Sequence, residues 1–343
     1  MGNIPHYREN IKTLSQVASE LKETTIFSGG IRDLGDIIRE VQRHQRQTDG
    51  AIPKVAQNFR FEYMTKTFPG RTVSARFRAP RDLSEMKDKE SAYVNEGDPC
   101  TLCHDTVKKN FPQLRAFLWT DFMIWPNPVP IFDDHITFAR SEHRGQHLSR
   151  RSIENMLNFM LFAPQFRIFY NGPQVGASVG KHQHFQGLID PLPVEGLDRS
   201  MAARAGHTSL GTIKNYPARV VVLEGKDQRE VAKMVNAVND QVRQFKEYKR
   251  GGVIDINALF VREGDYYRAF LFPRKLSKPV TLNSINAING TPASVEMSGV
   301  MVTGNLKGFE ELTADQIETG LDEISSQPQD VKTLVRQALG VDI

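Results

Sequence analysis

The chain has 343 residues, of which 39% are hydrophobic and 24% are charged, the balance of an ordinary globular protein. Its net charge of +4 suits an anionic substrate but is too small to indicate a nucleic-acid-binding protein. No apolar run reaches the length of a membrane span, residues 1–6 lack a signal-peptide core, and two cysteines are too few for a disulfide-rich scaffold. We therefore expect a cytoplasmic protein that contacts neither membranes nor nucleic acids.

The first half of the chain alternates between helical and extended patterns. Apolar residues at helical spacing between 7 and 47 predict two helices separated by Ser28-Gly29-Gly30. Alternation over 59–77 predicts two strands joined by a turn at Pro69-Gly70. The polar run 82–98 is expected to be a surface loop. Further elements are strands within 116–137, 166–170 and 182–189, and a helix beginning at Ser149.

The second half repeats this mixture in a different order. Predicted strands cover 218–223, 254–261 and 266–272, with a turn at Gly264-Asp265, and predicted helices cover 227–249, 314–324 and 330–339. Strands and helices in mixed order, with hairpin-like spacing, predict an α+β fold in which antiparallel sheets are flanked by helices.

The pattern His-x-His-x-Gln at 182–186 follows a Gly-Ala-Ser turn at 176–178. A strand period of two places His182, His184 and Gln186 on one face. A neutral imidazole can attack phosphorus and carry a covalent adduct, and an amide with nearby backbone N–H groups can hold phosphoryl oxygens. The pattern therefore predicts a phosphate-handling site. The alternative is a buried strand whose histidines are satisfied by hydrogen bonds.

This segment resembles the active-site strand of the histidine-triad superfamily, in the branch of galactose-1-phosphate uridylyltransferase, GDP-L-galactose phosphorylase and diadenosine tetraphosphate phosphorylase. It also resembles a bacterial group of little-characterised uridylyltransferase-like proteins. The resemblance is specific at 170–173, 176–178 and 182–186, and looser elsewhere between 59 and 309. Hydrolases of the superfamily usually have His where this chain has Gln186, and Gln suits a good leaving group and a phosphate acceptor. One departure is Gly180-Lys181, where uridylyltransferases have Asn-Pro.

The resemblance implies a division of the chain into three parts. A helical segment would cover 1–55, a catalytic histidine-triad-like half 56–195, and a second histidine-triad-like half 196–343. Related enzymes are monomers or homodimers, so either state is expected.

Cys100 and Cys103 form a Cys-x-x-Cys pair, which by itself fits a redox pair, half a metal site or two buried thiols. Structural zinc takes four ligands, so two would come from elsewhere. The candidates are His104, His135, His143, His147 and His182. The resemblance implies His143 and His182, and thus a closed structural zinc site, with His147 as the main alternative to His143.

The resemblance also implies which residues surround the substrate. Asp121 would contact the ribose hydroxyls and Phe122 the base. Asn171 would contact the phosphate or orient the nucleophile. The other predicted substrate contacts are to phosphate, from Gly172, Ser178, Arg71, Arg76 and Arg274. For these residues the alternative is an ordinary structural or surface role. Arg suits bidentate phosphate recognition, which favours the three arginines as candidates.

The function implied is that of a nucleotidyltransferase or phosphorylase with a ping-pong mechanism. His184 would attack the α-phosphorus of a nucleoside diphosphate sugar, with a backbone carbonyl accepting its Nδ1 proton. Gln186, Ser178 and the arginines would stabilise charge on the transferring phosphoryl group. His182 is the third residue of the predicted catalytic set, with His184 and Gln186. The nucleotidyl group would pass to phosphate or a sugar 1-phosphate. A dinucleoside polyphosphate phosphorylase and a nucleotide-binding regulator without turnover are the alternatives.

Overall fold

The computed structural model describes residues 11–12, 61–80, 100–110, 116–127, 130–132, 134–247, 253–276, 278–284 and 291–343. The polar segment 82–98 and nearly all of the predicted N-terminal helices lie outside these residues. Residues 11 and 12 form a short strand, so the prediction of a helix is wrong at these two positions. Within the described ranges, no helix is long and apolar enough to cross a membrane.

The secondary structure is as follows. The strands are β1 Ile11–Lys12, β2 Phe61–Thr67, β3 Ser74–Pro80, β4 Ala116–Trp119, β5 Phe122–Pro126, β6 Ile136–Arg140, β7 Arg167–Asn171, β8 His184–Leu188, β9 Arg199–Ala205, β10 Thr208–Ile213, β11 Val221–Gly225, β12 Asp255–Glu263, β13 Tyr266–Arg274 and β14 Val300–Thr303. The helices are α1 His104–Asn110, α2 Arg150–Phe162, α3 Gln228–Glu247, α4 Val280–Ser284, α5 Ser294–Met297, α6 Leu306–Glu311, α7 Ala314–Ile324 and α8 Pro328–Leu339, with a 3-10 turn at Pro193–Gly196.

The described strands form one large sheet and one small sheet. The large sheet has eleven strands in the order β1-β4-β5-β6-β8-β7-β12-β13-β11-β10-β9, and the small sheet has the order β14-β3-β2. All described pairings are antiparallel except β1 with β4 and β14 with β3. The prediction of an α+β fold with antiparallel sheets is confirmed. The pairing of β7 with β12 joins the two predicted halves into a continuous sheet.

Local sequence explains where the best-defined elements begin and turn. Helix α2 begins after Ser149, whose side chain accepts the N–H of Ser152 while the Ser152 side chain accepts the N–H of Ser149. Strands β12 and β13 turn at Gly264, whose φ of +57° is one that glycine adopts without strain. Helix α7 covers the predicted residues 314–324.

Apolar cores lie on both faces of the large sheet. One core joins the sheet to α2, α3 and α8, and Phe138 and Phe185 are fully buried in it. The other core packs the opposite face against the small sheet and α7, with Phe169 and Phe272 among its members. Because side chains alternate along a strand, each strand of the sheet centre contributes to both faces. One face of strand β8 therefore lies in the core under α2. Its other face is on the side of the sheet where α1 packs against Met123.

Candidate active site

Four sulfur and nitrogen atoms converge beside the start of β8. The side chains of Cys100, Cys103, His143 and His182 each offer one such atom, and these atoms lie within 4.8 Å of one another. Cys103 Sγ is 3.0 Å from His143 Nδ1, while His182 Nδ1 is 3.4 Å from Cys100 Sγ and 3.6 Å from Cys103 Sγ. Tetrahedral zinc with ligands at their usual bond lengths separates S and N by roughly 3.5 Å. The geometry therefore fits a closed, four-coordinate metal site.

Hydrogen bonding and charge at this cluster also fit a bound metal ion. His182 Nε2 lies 2.7 Å from the carbonyl oxygen of Arg140, so Nε2 donates its proton there and Nδ1 keeps a lone pair for a metal. Burial and the neighbouring Cys100 raise the pKa of the Cys103 thiol to about 11, so a thiolate at this position needs a bound cation. His147 is not a member of the cluster, which favours His143 as the third ligand.

His184 is the first residue of β8, and its side chain is buried, with 2% of its surface exposed. Its Nδ1 lies 2.9 Å from the carbonyl oxygen of His182, so Nδ1 carries the proton and Nε2 carries the lone pair. Nε2 has no hydrogen-bond partner among the described residues. Burial lowers the pKa of His184 to about 4, so the imidazole is neutral near pH 7. His184 is thus an oriented, neutral nitrogen base.

Gln186 lies two residues along β8 from His184 and faces the same way. Its Oε1 is 2.6 Å from Nε2 of His135. The backbone N–H of Ile131 donates to Nδ1 of His135 at 3.2 Å, so the ring proton of His135 is on Nε2 and is donated to Gln186. Because its oxygen is engaged, Gln186 offers its amide nitrogen to a ligand.

Asn171 ends the neighbouring strand β7 with a similar arrangement. It lies two residues beyond Phe169, which pairs with Gln186, so the two amides share a face of the sheet. Asn171 Oδ1 accepts the backbone N–H of Ser294 at 2.8 Å and lies 2.7 Å from the Ser294 hydroxyl. Asn257 Nδ2 is a third donor at 3.3 Å. The oxygen of Asn171 is therefore engaged, and its nitrogen is the end that remains for a ligand.

Gln146 is a site residue that the sequence analysis missed. Its buried amide nitrogen lies 2.8 Å from the carbonyl oxygen of Asn171 and 3.0 Å from that of His184, and its oxygen accepts the N–H of His184 at 2.8 Å. This side chain joins β7 to β8 where both strands reach the site. A lone glutamine outside the motif gives no sequence signal for such a role. In the sequence, His135 could be recognised only as a candidate zinc ligand.

Residues of the loop between β7 and β8 have different environments. Gly172 is buried, and a Cβ there would meet the carbonyl oxygen of Ile256 at 2.7 Å, so glycine is needed for this close approach of two backbones. Gly176 has a φ of +99°, and a Cβ there would lie 2.6 Å from Cβ of Ala293. Ser178 is exposed, and its predicted contact with phosphate stays a prediction.

Phe122 and Asp121 lie on the side of the sheet that faces α2. Phe122 is fully buried and packs edge-on against Phe185, which lies on the opposite face of β8 from His184. It therefore belongs to the apolar core under α2, and its predicted contact with the base stays a prediction. The Asp121 carboxylate lies 3.0 Å from Arg151 and 3.4 Å from Arg140, in ion pairs on the same side of the sheet as Phe122.

The three predicted phosphate-binding arginines have separate environments. Arg71 is ion-paired with Asp315 and Glu318 of α7, away from the contacts described around His184. Arg274 is fully buried, burial lowers its pKa to about 9, and it donates to Asn257 Oδ1 at 2.7 Å. Since Asn257 donates to Asn171, this arginine supports the site from within the protein.

Arg76 contacts residues next to two segments of the site, the loop before His135 and the end of β8. Its guanidinium is 4.3 Å from the ring centre of Phe132, whose carbonyl oxygen accepts the N–H of His135. It is also 3.7 Å from Asp190, two residues beyond β8. The predicted contact of Arg76 with phosphate stays a prediction.

Each half of the chain matches a known protein family. Residues 51–189 match the family described as a domain of unknown function, DUF4922. Residues 195–340 match the family described as GDPGP1-like, C-terminal domain.

Galactose-1-phosphate uridylyltransferases are among the relatives. The protein of Bifidobacterium longum subsp. longum is 26% identical over 184 residues, which cover 50% of this chain and 34% of that protein. The protein of Bacillus subtilis is 25% identical over 188 residues, which cover 50% of this chain and 36% of that protein. The match thus spans about a third of the length of these relatives.

A solved structure of yeast Ap4A phosphorylase Apa2 in complex with Ap4A has a similar fold. Its TM-score is 0.52, at 15% identity, over 83% of this chain and 96% of the yeast chain. The relatives match half of the chain, the two families match 51–189 and 195–340, and the fold similarity extends over 83% of the chain. Together these comparisons support the resemblance of the chain to the histidine-triad superfamily, in the branch that contains galactose-1-phosphate uridylyltransferase, GDP-L-galactose phosphorylase and diadenosine tetraphosphate phosphorylase.

Proposed function

We propose that this protein is a nucleotidyltransferase or phosphorylase that acts on a nucleoside diphosphate sugar through a nucleotidyl-His184 intermediate. One observation carries the proposal: His184 is a neutral imidazole whose Nδ1 proton is held by the carbonyl of His182, and whose Nε2 has no hydrogen-bond partner among the described residues. A nucleophilic imidazole needs this tautomer and an uncommitted lone pair.

The transfer consists of two displacements at the same phosphorus atom. In the first, His184 Nε2 forms a bond to the α-phosphorus, the bond from that phosphorus to the bridging oxygen breaks, and the sugar 1-phosphate leaves. In the second, an oxygen of inorganic phosphate or of another sugar 1-phosphate attacks the same phosphorus and returns the electron pair to Nε2. The imidazole is positively charged in the intermediate, and the carbonyl of His182, 2.9 Å from Nδ1, stabilises that charge.

The amides of Gln186 and Asn171 supply donors to the transferring group. Both have their oxygens engaged by the protein, so both present N–H groups on the face of His184. N–H groups aimed at phosphoryl oxygens stabilise charge that builds up during the displacement. Neither amide can protonate a leaving group, so the site favours leaving groups that are stable as anions, such as sugar phosphates.

The metal cluster would hold zinc through Cys100, Cys103, His143 and His182. Such a site has no open position, so bound zinc would supply structural stability and no reacting ligand. The link to the reaction passes through the chain, because His182 contributes its ring to the cluster and its carbonyl to His184. We infer that the cluster fixes the direction of the nucleophile.

A dinucleoside polyphosphate phosphorylase is the second candidate. The observation that favours it is the yeast Ap4A phosphorylase, whose fold matches 83% of this chain and 96% of its own chain. The mechanism at His184 would be the same, and the leaving group would be a nucleoside polyphosphate.

The first experiment is an intact-mass measurement of the purified protein after incubation with nucleoside diphosphate sugars and dinucleoside polyphosphates, without phosphate. We expect the mass to rise by one nucleoside monophosphate with the correct donor, and the increment identifies the base. The control is His184→Gly, which is expected to bind the donor without forming the adduct. Donor binding without an adduct in the native protein would contradict the proposal and indicate a nucleotide-binding regulator.

A further inference from the structure

We propose that His135 is a positioning residue for the nucleotidyl transfer, because it fixes the amide of Gln186 with its nitrogen toward the reacting phosphoryl group. The inference rests on the proposed function and assigns a role to a side chain outside the His-x-His-x-Gln motif. His135 is 3% exposed and precedes strand β6, which pairs with β8.

The orientation of the His135 ring is determined by its neighbours. The ring stacks on Phe169 with a centroid distance of 6.0 Å and an interplanar angle of 28°. The N–H of Ile131 donates to Nδ1 at 3.2 Å. A backbone N–H can only donate, so Nδ1 must hold a lone pair and Nε2 must hold the proton. The protein therefore fixes both the rotamer and the tautomer of this histidine.

The fixed tautomer in turn determines the orientation of the Gln186 amide. His135 Nε2–H lies 2.6 Å from the amide and can be accepted only by its oxygen, Oε1. The two ends of a glutamine amide have nearly the same size, so packing alone distinguishes them poorly. A reversed amide would turn its oxygen toward the phosphoryl oxygens of the substrate and repel them. His135 excludes that state.

Nuclear magnetic resonance tests the contact without requiring turnover. In protein labelled with 15N-histidine, we expect a neutral His135 with its proton on Nε2, identified by the loss of its signals in His135→Gln. In Gln186→Ala the Nε2–H signal should shift, because its acceptor is gone. A proton on Nδ1, or a signal that is unchanged in Gln186→Ala, would overturn the proposal.

A double-mutant cycle tests the role in the reaction. We expect His135→Leu to slow formation of the nucleotidyl adduct by about 10- to 100-fold with little change in donor affinity. His135→Gln keeps an N–H donor and is expected to retain most of the rate. In a Gln186→Ala background, His135→Leu should have no further effect, because the residue acts through Gln186. Equal losses in both backgrounds would overturn the proposal.

The two measurements separate this inference from the function on which it rests. If the native protein forms no adduct with any donor, the proposed function fails, and the resonance experiment still decides whether His135 fixes Gln186. If the adduct forms and the cycle is additive, the function stands and the positioning role is wrong.

Discussion

The two faces of strand β8 differ in what buries them. On one face, Phe185 packs edge-on against Phe122 in the apolar core beneath α2. On the other, His184 and Gln186 are held by hydrogen bonds to a carbonyl and to a histidine ring. The comparison shows that the period of two divides a single strand into a stabilising face and a face with directed polar atoms. Substitutions on the two faces should therefore have different consequences.

The largest effect is expected from the loss of a metal ligand, because the metal cluster adjoins the polar face of β8. His143→Ala removes one of four ligands, so we expect the bound metal to fall from about one per chain to near zero and the melting temperature to fall steeply, because metal binding contributes to folding. Metal analysis and thermal unfolding measure both quantities. The matched control is His147→Ala, which should retain the metal. Loss of metal in that control instead would identify His147 as the ligand.

Phe185→Ala tests the apolar face. The side chain is fully buried, so we expect the free energy of unfolding to fall by about 3–5 kcal/mol. Adduct formation per folded molecule should change little, because Phe185 points away from His184. Chemical denaturation and single-turnover rates measure the two quantities. A large loss of rate in protein shown to be folded would indicate that the faces are coupled.

Gln186→Ala, on the opposite face, should reverse that pattern. We expect adduct formation to slow by about 100-fold or more, since one oriented donor to the phosphoryl group is lost. The free energy of unfolding should change less than in Phe185→Ala, because Gln186 is only partly buried. If the rate is unchanged while stability falls, the amide has a structural role and the mechanism proposed for it is wrong.

The smallest effect is expected for Arg71→Ala. Arg71 is exposed and is ion-paired with acidic residues of α7, so its removal should leave adduct formation unchanged and alter the melting temperature only marginally. Arg76→Ala is the informative partner, because Arg76 packs on Phe132, whose loop leads to His135, and we expect its loss to weaken donor affinity. A loss of affinity in Arg71→Ala that equals the loss in Arg76→Ala would restore Arg71 as a phosphate contact.

Local signals in the sequence predicted much of the fold. The serine cap of α2 and the glycine turn between β12 and β13 depend on nearby residues, and both are found where the pattern indicated them. Strands β9 and β10 were missed. Strand β9, Arg199–Ala205, contains no β-branched or aromatic residue and has no fully buried position at the edge of the sheet, so it lacks the alternation of an interior strand.

The site was predictable where chemistry is concentrated in a short motif. The proposed nucleophile, His184, and the four candidate metal ligands follow from spacing and resemblance, and the structure brings those four ligands together. The side of the sheet on which Phe122 lies depends on strand register, which one sequence does not determine. Arg274 could not be recognised as buried, because its partners Asn257 and Pro292 become neighbours only in the folded chain.

The pairing of β7 with β12 has a consequence for dissecting the molecule. Strand β7 carries Asn171, and the groups that hold Asn171 in place come from Asn257 and Ser294, in the second half of the chain. A fragment ending at residue 195 would keep His184 but expose the edge of β7 and release this amide. The half that carries His184 therefore depends on the other half for the position of Asn171, and a chain cut between the two halves would lose that support.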